Sequence, residues 1–462
     1  MDLLRHAVVR PARSHSAVLV STALVVGLLC CSSPAQPQER PAADRRAAAR
    51  PTQTPAAPSP PAVAVHPQPE LSPFTPRVVA NLRAIRGRSD RRQDDVFMKV
   101  GDSSTVSRGF LRCFADPDEV QLGAHDALGP TVAYFRNRHA GGRDSFRRQS
   151  RAAHEGWSAR HVLSGNPPPV LAEVRAIRPR FAFVMNGGND VEGQDDYVYA
   201  TRMMRIAEML GENGVIPILN SIPPRDDDAD ADRWVARYNQ VSWAIAEAMA
   251  LPYLDYHQVM EGLPRRGLAG DGVHPNIFIE GSRGLACRFD AQGLQHGHNA
   301  RNLLALRGLD LLRRTVLEAE AAPSPDPEAP PGRGTADAPW DIRRLPFAEL
   351  RDTASEGSSA IDAYPGCDAP QDESGRELVY RLHVDAPLDV RVLAVGRGDT
   401  DVDVHLLRER AEGAACVERA DREIERRLTP GTWLITVDTF VDAGAPRAGE
   451  VLVLIAPAPA AR

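Results

Sequence analysis

Apolar runs alternating with amphipathic helical stretches between residues 94 and 316 predict an α/β fold, a three-layer α/β/α sandwich around a mostly parallel sheet. After Trp340 the pattern changes to short β-type runs separated by turns, which predicts a second, all-β sandwich. The 39 prolines cluster, and the clusters mark two seams. The 462 residues thus divide into a signal segment over 1–31, a Pro/Ala-rich linker over 32–76, an α/β domain over 77–320, a Pro-rich linker over 321–339 and a β-sandwich over 340–462.

Arg5, Arg10 and Arg13 precede an apolar run, Ala17 to Leu29, that is too short to span a membrane comfortably and reads as an export signal. It ends in Leu29-Cys30-Cys31-Ser32-Ser33, which resembles a bacterial lipoprotein processing site, with Cys31 fitting better than Cys30 as the lipidated residue. Simple cleavage of the signal is the other reading. The segment that follows has too few large apolar residues to order itself, and both seams are expected to be flexible tethers.

Within the α/β region, Val96 to Val100, Phe181 to Met185, Val215 to Leu219 and Leu251 to Tyr256 read as strands. Pro217 suits an edge or a strand start better than a sheet centre. Tyr197 to Glu212 and Asp232 to Met249 place apolar residues on one helical face, and Leu303 to Val316 reads as a closing helix despite Gly308. The acidic run Asp226 to Asp232 reads as a solvated loop leading into a helix start, where negative charge suits the dipole.

Three motifs carry chemistry. Gly101-Asp102-Ser103 ends the first apolar run and puts a serine at the C-terminal edge of the expected sheet, where open α/β sheets bind ligands. Gly187-Gly188-Asn189-Asp190 ends the second run, and Asp271-Gly272-Val273-His274 follows a glycine-containing turn. Each motif alone is an ordinary turn or helix cap. In combination they supply a nucleophile, a side-chain amide, a base and an orienting carboxylate, the parts that acyl transfer needs.

In this order the motifs resemble the SGNH (GDSL-type) serine hydrolases over roughly residues 94 to 316, and the resemblance implies an SGNH hydrolase-like sandwich. It implies Ser103 as nucleophile, His274 as general base and Asp271 as its orienting partner. The oxyanion hole would be formed by the backbone amides of Ser103 and Gly156 with the side-chain amide of Asn189; Gly165 is the rival to Gly156 but reads more naturally as a turn before Pro167. Ser104 departs from the apolar residue often found after the nucleophile. No Gly-x-Ser-x-Gly elbow is present, which argues against the α/β-hydrolase fold proper.

Export makes Cys113, Cys287, Cys367 and Cys416 candidates for disulfides, and pairing within each domain is the expected arrangement of the three pairings open to them. It would staple the loop after the nucleophile to the loop after His274. Metal is not expected: apart from His296-x-His298, read as loop polarity, no cysteine or histidine pair has ligand spacing. A net charge of −6 gives no reason to invoke nucleic acid.

In the C-terminal part, Leu378 to Val384, Val390 to Val395, Val402 to Leu407, Trp433 to Val437 and Val451 to Ile455 read as strands. Through Asp401-Val402-Asp403-Val404 and the turn at Pro430-Gly431 this part is similar to bacterial pre-peptidase C-terminal domains, which implies an accessory role. Asp399, Asp401 and Asp403 could be weighed as calcium ligands, but alternating acidic residues read as a solvated face.

The expected function is an exported serine esterase that acts on small-molecule or polysaccharide esters, needs no cofactor and meets a membrane only through an N-terminal lipid anchor. A noncatalytic surface protein that keeps the fold to bind glycan or lipid is the alternative. O-deacetylation of polysaccharide and hydrolysis of lipid-type esters remain open, because the specificity loops, chiefly Leu111 to Arg151, carry no readable motif.

Overall fold

A computed structural model describes residues 61–367, 371–411 and 413–459; the expected signal, Cys31 and the first part of the 32–76 linker lie outside the described residues. A short strand β1 (Ala64–Val65) comes first. The sheet of the α/β part has four parallel strands in the order β2 (Gln93–Gly101), β3 (Pro179–Met185), β4 (Ile216–Asn220) and β5 (Tyr253–Leu254). Every residue of β3 is buried, as expected for a parallel sheet covered on both faces. The helices are α1 (Pro76–Gly87), α2 (Ser103–Val106), α3 (Gly129–Phe135), α4 (Ala159–Leu163), α5 (Pro169–Ile177), α6 (Asp196–Glu212), α7 (Ala229–Ala248), α8 (Tyr256–Glu261) and α9 (Gly297–Leu312).

Local chemistry explains where these elements begin. The Asp195 carboxylate accepts the Val198 N–H at 2.9 Å and starts α6. Asp228 accepts the N–H groups of Asp230 and Ala231, so α7 begins three residues before the expected start. The acidic run is the exposed loop and helix start expected, and its carboxylates are also paired, Asp226 and Asp232 with Arg266 and Asp227 with Arg225. Pro217 is the second residue of β4, and β5 pairs only with Leu219 and Asn220, so at the proline only β3 is a ladder neighbour. Helix α9 begins at Gly297, six residues before the expected start, and continues into a π-type turn over Arg313–Leu317.

The C-terminal part is a β-sandwich. One sheet has four strands in the order Phe347–Asp352, Glu450–Pro457, Leu388–Gly396 and Glu423–Leu428; the other has five, Gly413–Ala420, Val402–Arg410, Gly431–Thr439, Glu377–Val384 and Trp340–Ile342. Val392, Ala394, Val404, Leu406, Ile435 and Val453 are among the residues that fill the space between them.

Both seams depart from the free tethers expected. The 61–76 end of the first is ordered, since β1 pairs in parallel with Arg344–Leu345 and Phe74 is buried in the α/β core. In the second, Ser324 N–H bonds the Phe74 carbonyl at 3.3 Å, and the Asp326 carboxylate accepts the Arg77 N–H at 3.0 Å. Proline content misled because these segments gain backbone hydrogen bonds from elements distant in sequence. The sandwich is docked as well: Leu393, Val395, Leu452 and Leu454 join the core of the α/β part, whose helix α7 lies against strands 347–352 and 450–457. Arg391, wholly buried, reaches across to Asp196 and to the side-chain oxygen of Gln240 at 3.0 Å.

Candidate active site

Ser103 stands at the first position of α2, directly after β2 ends at Gly101. A glycine is required at 101, because a Cβ there would lie 2.4 Å from the Met185 carbonyl oxygen and 2.3 Å from Thr105 Oγ1. Asp102 is the N-cap of α2, its Oδ1 accepting the Ser104 N–H at 3.1 Å. Its Oδ2 would lie 2.9 Å from a Cβ at 188, so the 187–190 loop reaches this position only with glycine. Burial is the main influence on the Asp102 carboxyl and pushes it up to about 6 despite the nearby Arg301 guanidinium.

The structure brings Ser103, His274 and Asp271 into one hydrogen-bonded line. Ser103 Oγ is 2.9 Å from His274 Nε2, and His274 Nδ1 is 2.7 Å from Asp271 Oδ2. The second oxygen of Asp271 accepts the backbone N–H groups of Val273 and His274, both at 3.0 Å. Slight burial opposes ionisation of Asp271, but these donors and the imidazole outweigh it and hold the carboxyl down to about 2. An ionised Asp271 bonded to Nδ1 leaves Nε2 as the proton acceptor facing the serine.

The remaining candidates, Gly156 and Asn189, lie on two loops tied to the end of β2 and to each other. Ala152 C=O accepts the Gly101 N–H at 3.1 Å and Gly101 C=O accepts the His154 N–H at 3.1 Å, so residues 152–154 run beside the tip of β2 and carry Gly156 with them. Gly156 has φ +73°, and the flanking His154 and Trp157 amides are already bonded, to Gly101 and His154. Asn189 Nδ2 donates to the Trp157 carbonyl at 3.1 Å, which fixes its amide plane and leaves a second N–H on the same nitrogen. Asp190 accepts the Ala159 N–H through both oxygens, at 3.1 and 3.0 Å, and ties the 187–190 loop to the start of α4. Gly165 instead lies beyond α4, in the turn at the Asn166–Pro167 bond. As the first residue of α2, Ser103 has an N–H with no intrahelical acceptor.

Two positioning residues were not recognised as such in the sequence, Arg301 not at all and His298 only as loop polarity. Arg301, fully buried on α9, donates to the Ser104 carbonyl at 2.7 Å and lies over the Phe110 ring at 3.7 Å, clamping the residue after Ser103. His298 is buried too, with Nε2 3.0 Å from Ser107 Oγ at the end of α2, and burial together with Arg301 pushes its imidazole down to about 3. It is neutral, so His296-x-His298 is not loop polarity: His298 supports the helix that carries the serine. Helical spacing on α9 was the one available signal, and α9 was read as starting after both residues. Disulfide Cys113–Cys287 joins the region after α2 to the region after His274, and Cys367–Cys416 lies in the sandwich.

Beside α2 opens a cleft of about 270 Å³ with a polar wall that includes Lys99, Ser107, Arg108, Arg112, Arg147 and Glu155; Ser103 itself is not in that wall. Burial depresses the Lys99 ammonium to about 8, and its Nζ donates to the Phe146 carbonyl at 2.9 Å. Trp157 stacks between the exposed rings of His154 and His161, with centroids 5.5 and 6.0 Å away.

A serine–imidazole–carboxylate line at the C-terminal edge of a parallel α/β/α sandwich defines a serine-hydrolase type of site. Residues 100–277 match the model of the GDSL-like lipase/acylhydrolase family, so the chain carries a GDSL-like acylhydrolase domain and is an ester-hydrolysing enzyme. Among solved structures, a GDSL-like lipase from Bacteroides thetaiotaomicron is 15% identical, with a TM-score of 0.31 over 51% of this chain and 98% of its own. An acetylxylan esterase from Geobacillus stearothermophilus, crystallised as a catalytic mutant, is 17% identical, with a TM-score of 0.32 over 47% of this chain and 95% of its own. No curated protein sequence matches.

Proposed function

We propose that the protein is an exported serine esterase that cleaves short-chain acyl esters of polar, carbohydrate-type alcohols through an acyl-enzyme on Ser103. The observation that carries the catalytic part is the 2.9 Å contact between Ser103 Oγ and His274 Nε2. In this reading Ser103 Oγ attacks the ester carbonyl while His274 Nε2 takes its proton. The oxyanion is held by the N–H groups of Ser103 and Gly156 and by Asn189 Nδ2, and the alcohol leaves with the proton from His274. Water, deprotonated by the same nitrogen, then attacks the acyl carbonyl and restores the serine. Asp271 keeps the imidazole in the required tautomer and balances the charge it acquires.

The surroundings of Ser103 favour a polar substrate over a lipid. The neighbouring cleft is lined by ammonium and guanidinium groups, which an acyl chain of many methylenes would have to desolvate without compensation. The ring stack of His154, Trp157 and His161 offers the flat aromatic surface on which a sugar ring can pack. Export is supported by the two disulfides, a feature of oxidising compartments. Among the described residues, no helix is long and apolar enough to cross a membrane, and attachment through a lipidated Cys31 remains part of this proposal.

A series of p-nitrophenyl esters from acetate to palmitate tests the reading. The expected kcat/KM is highest for acetate and falls at least about tenfold by the eight-carbon acyl chain, since a longer chain must desolvate the charged groups of the cleft without compensation. A profile that rises with chain length would establish a lipid-type esterase instead.

A further inference from the structure

The outer face of the five-stranded sheet in the sandwich carries an arrangement that esterase chemistry does not use. His405 on strand Val402–Arg410 and Asp438 on the adjacent strand Gly431–Thr439 lie on the side that the segment bearing Tyr364 and Glu373 covers. Disulfide Cys367–Cys416 joins the chain just after Tyr364 to the sheet, and the Tyr364 ring stacks on the His405 ring with centroids 3.6 Å apart. Glu373 is 3% exposed and both His405 and Asp438 are 0% exposed. Ligand atoms of these three side chains all lie within 4.8 Å of one another.

Buried polar groups in folded proteins almost always find partners, yet both nitrogens of His405 and one oxygen of each carboxylate do not. Neither ring nitrogen of His405 makes a hydrogen bond; its Nε2 is 3.6 Å from Glu373 Oε1. Each carboxylate has one oxygen held and one left over. Asp438 Oδ2 accepts the Tyr364 hydroxyl while Oδ1 has no partner, and Glu373 Oε1 accepts from Arg419 at 3.4 Å while Oε2 has none. This is how outer-sphere hydrogen bonds orient carboxylates that ligate a metal. Charge points the same way: Asp438 lies near the buried carboxylates of Glu373, Asp403 and Glu377, and Arg419 is the guanidinium paired with Glu373 and Asp403, so the cluster carries an excess of negative charge that a cation would offset.

We propose that Glu373, His405 and Asp438 form a binding site for a divalent transition ion of the zinc class, which holds Glu373 against the outer face of the sheet. An imidazole nitrogen with two carboxylate oxygens suits Zn²⁺, whereas Ca²⁺ takes six to eight oxygens and no nitrogen. Tetrahedral Zn²⁺ ligands stand about 3.4 Å apart, given bonds of about 2.0–2.2 Å, so small side-chain rotations close the set around the ion, with water as fourth ligand.

The test is zinc binding by the chelator-treated full chain, read by calorimetric titration with ZnCl₂ and by metal analysis after dialysis. The wild type is expected to retain one equivalent and to melt at higher temperature with zinc than with EDTA. His405→Gln and Glu373→Gln, each with an unchanged circular dichroism spectrum, are expected to bind about a hundredfold or more weakly. Two substitutions guard against one failing to fold, and turnover of a small ester reports separately on Ser103. A folded wild type that retains no zinc, zinc held equally by both variants, or calcium held in its place would overturn the proposal.

Discussion

His274 and Asp271 sit three positions apart on one loop, yet they carry different loads. His274 contacts the nucleophile directly, whereas Asp271 is half exposed and spends one oxygen on the backbone of its own turn. His274→Ala is therefore expected to lower kcat/KM by about 10⁴ or more and Asp271→Ala by about 10², because the Asp271 turn still shapes the loop in part through its backbone. Kinetics on p-nitrophenyl acetate check the order; an Asp271 variant as impaired as the His274 variant would assign the carboxylate the larger role. Asp102 makes a prediction of another kind. An acid whose folded pKa is raised, here from 3.8 to about 6, binds its proton more tightly when folded. The stability it contributes is present below 3.8 and is lost as pH rises through about 6, on the order of 3 kcal/mol at neutrality. Asp102→Asn should thus gain melting temperature relative to wild type between pH 4 and pH 7, and a difference independent of pH would remove burial as the cause.

At the scale of elements, the central strands and the catalytic motifs were legible because their signals are local. Phe181 to Met185 is a continuous apolar run and became β3, and the glycines of the first two motifs sit where a Cβ would strike a neighbouring chain. Strands Gly413–Ala420 and Glu423–Leu428 were missed since, as sheet edges, they carry charged residues that break the apolar alternation. Asp403 was read as part of a solvated face, yet Arg419 and the 371–373 segment bury it. The roles of Arg301 and His298 were hidden for a related reason: a buried cation on a helix has meaning only once α2 lies against α9. The Glu373, His405 and Asp438 cluster has no sequence spacing at all, because neighbouring strands and a separate segment assemble it.

The whole molecule differs most from what proline content suggested. Instead of hanging on a tether, the sandwich contributes apolar residues to the α/β core and drives a buried guanidinium into it. Arg391 meets Asp196 and Glu423, and Arg237 contacts the same two carboxylates from α7. Removing one member of such a group leaves buried charge uncompensated, so Arg391→Ala is expected to cost about 3 kcal/mol. Denaturant midpoints of variant and wild type measure this; a loss below about 0.5 kcal/mol would mean that the two parts stand apart in solution.

The proposal that Ser103 is the nucleophile is tested most directly by turnover of p-nitrophenyl acetate by the folded Ser103→Ala chain beside the wild type. The geometry predicts that kcat/KM falls by about 10⁴ or more, with the fold unchanged by circular dichroism. Activity within tenfold of the wild type would contradict the account, because an acyl-enzyme on Ser103 cannot form without its Oγ.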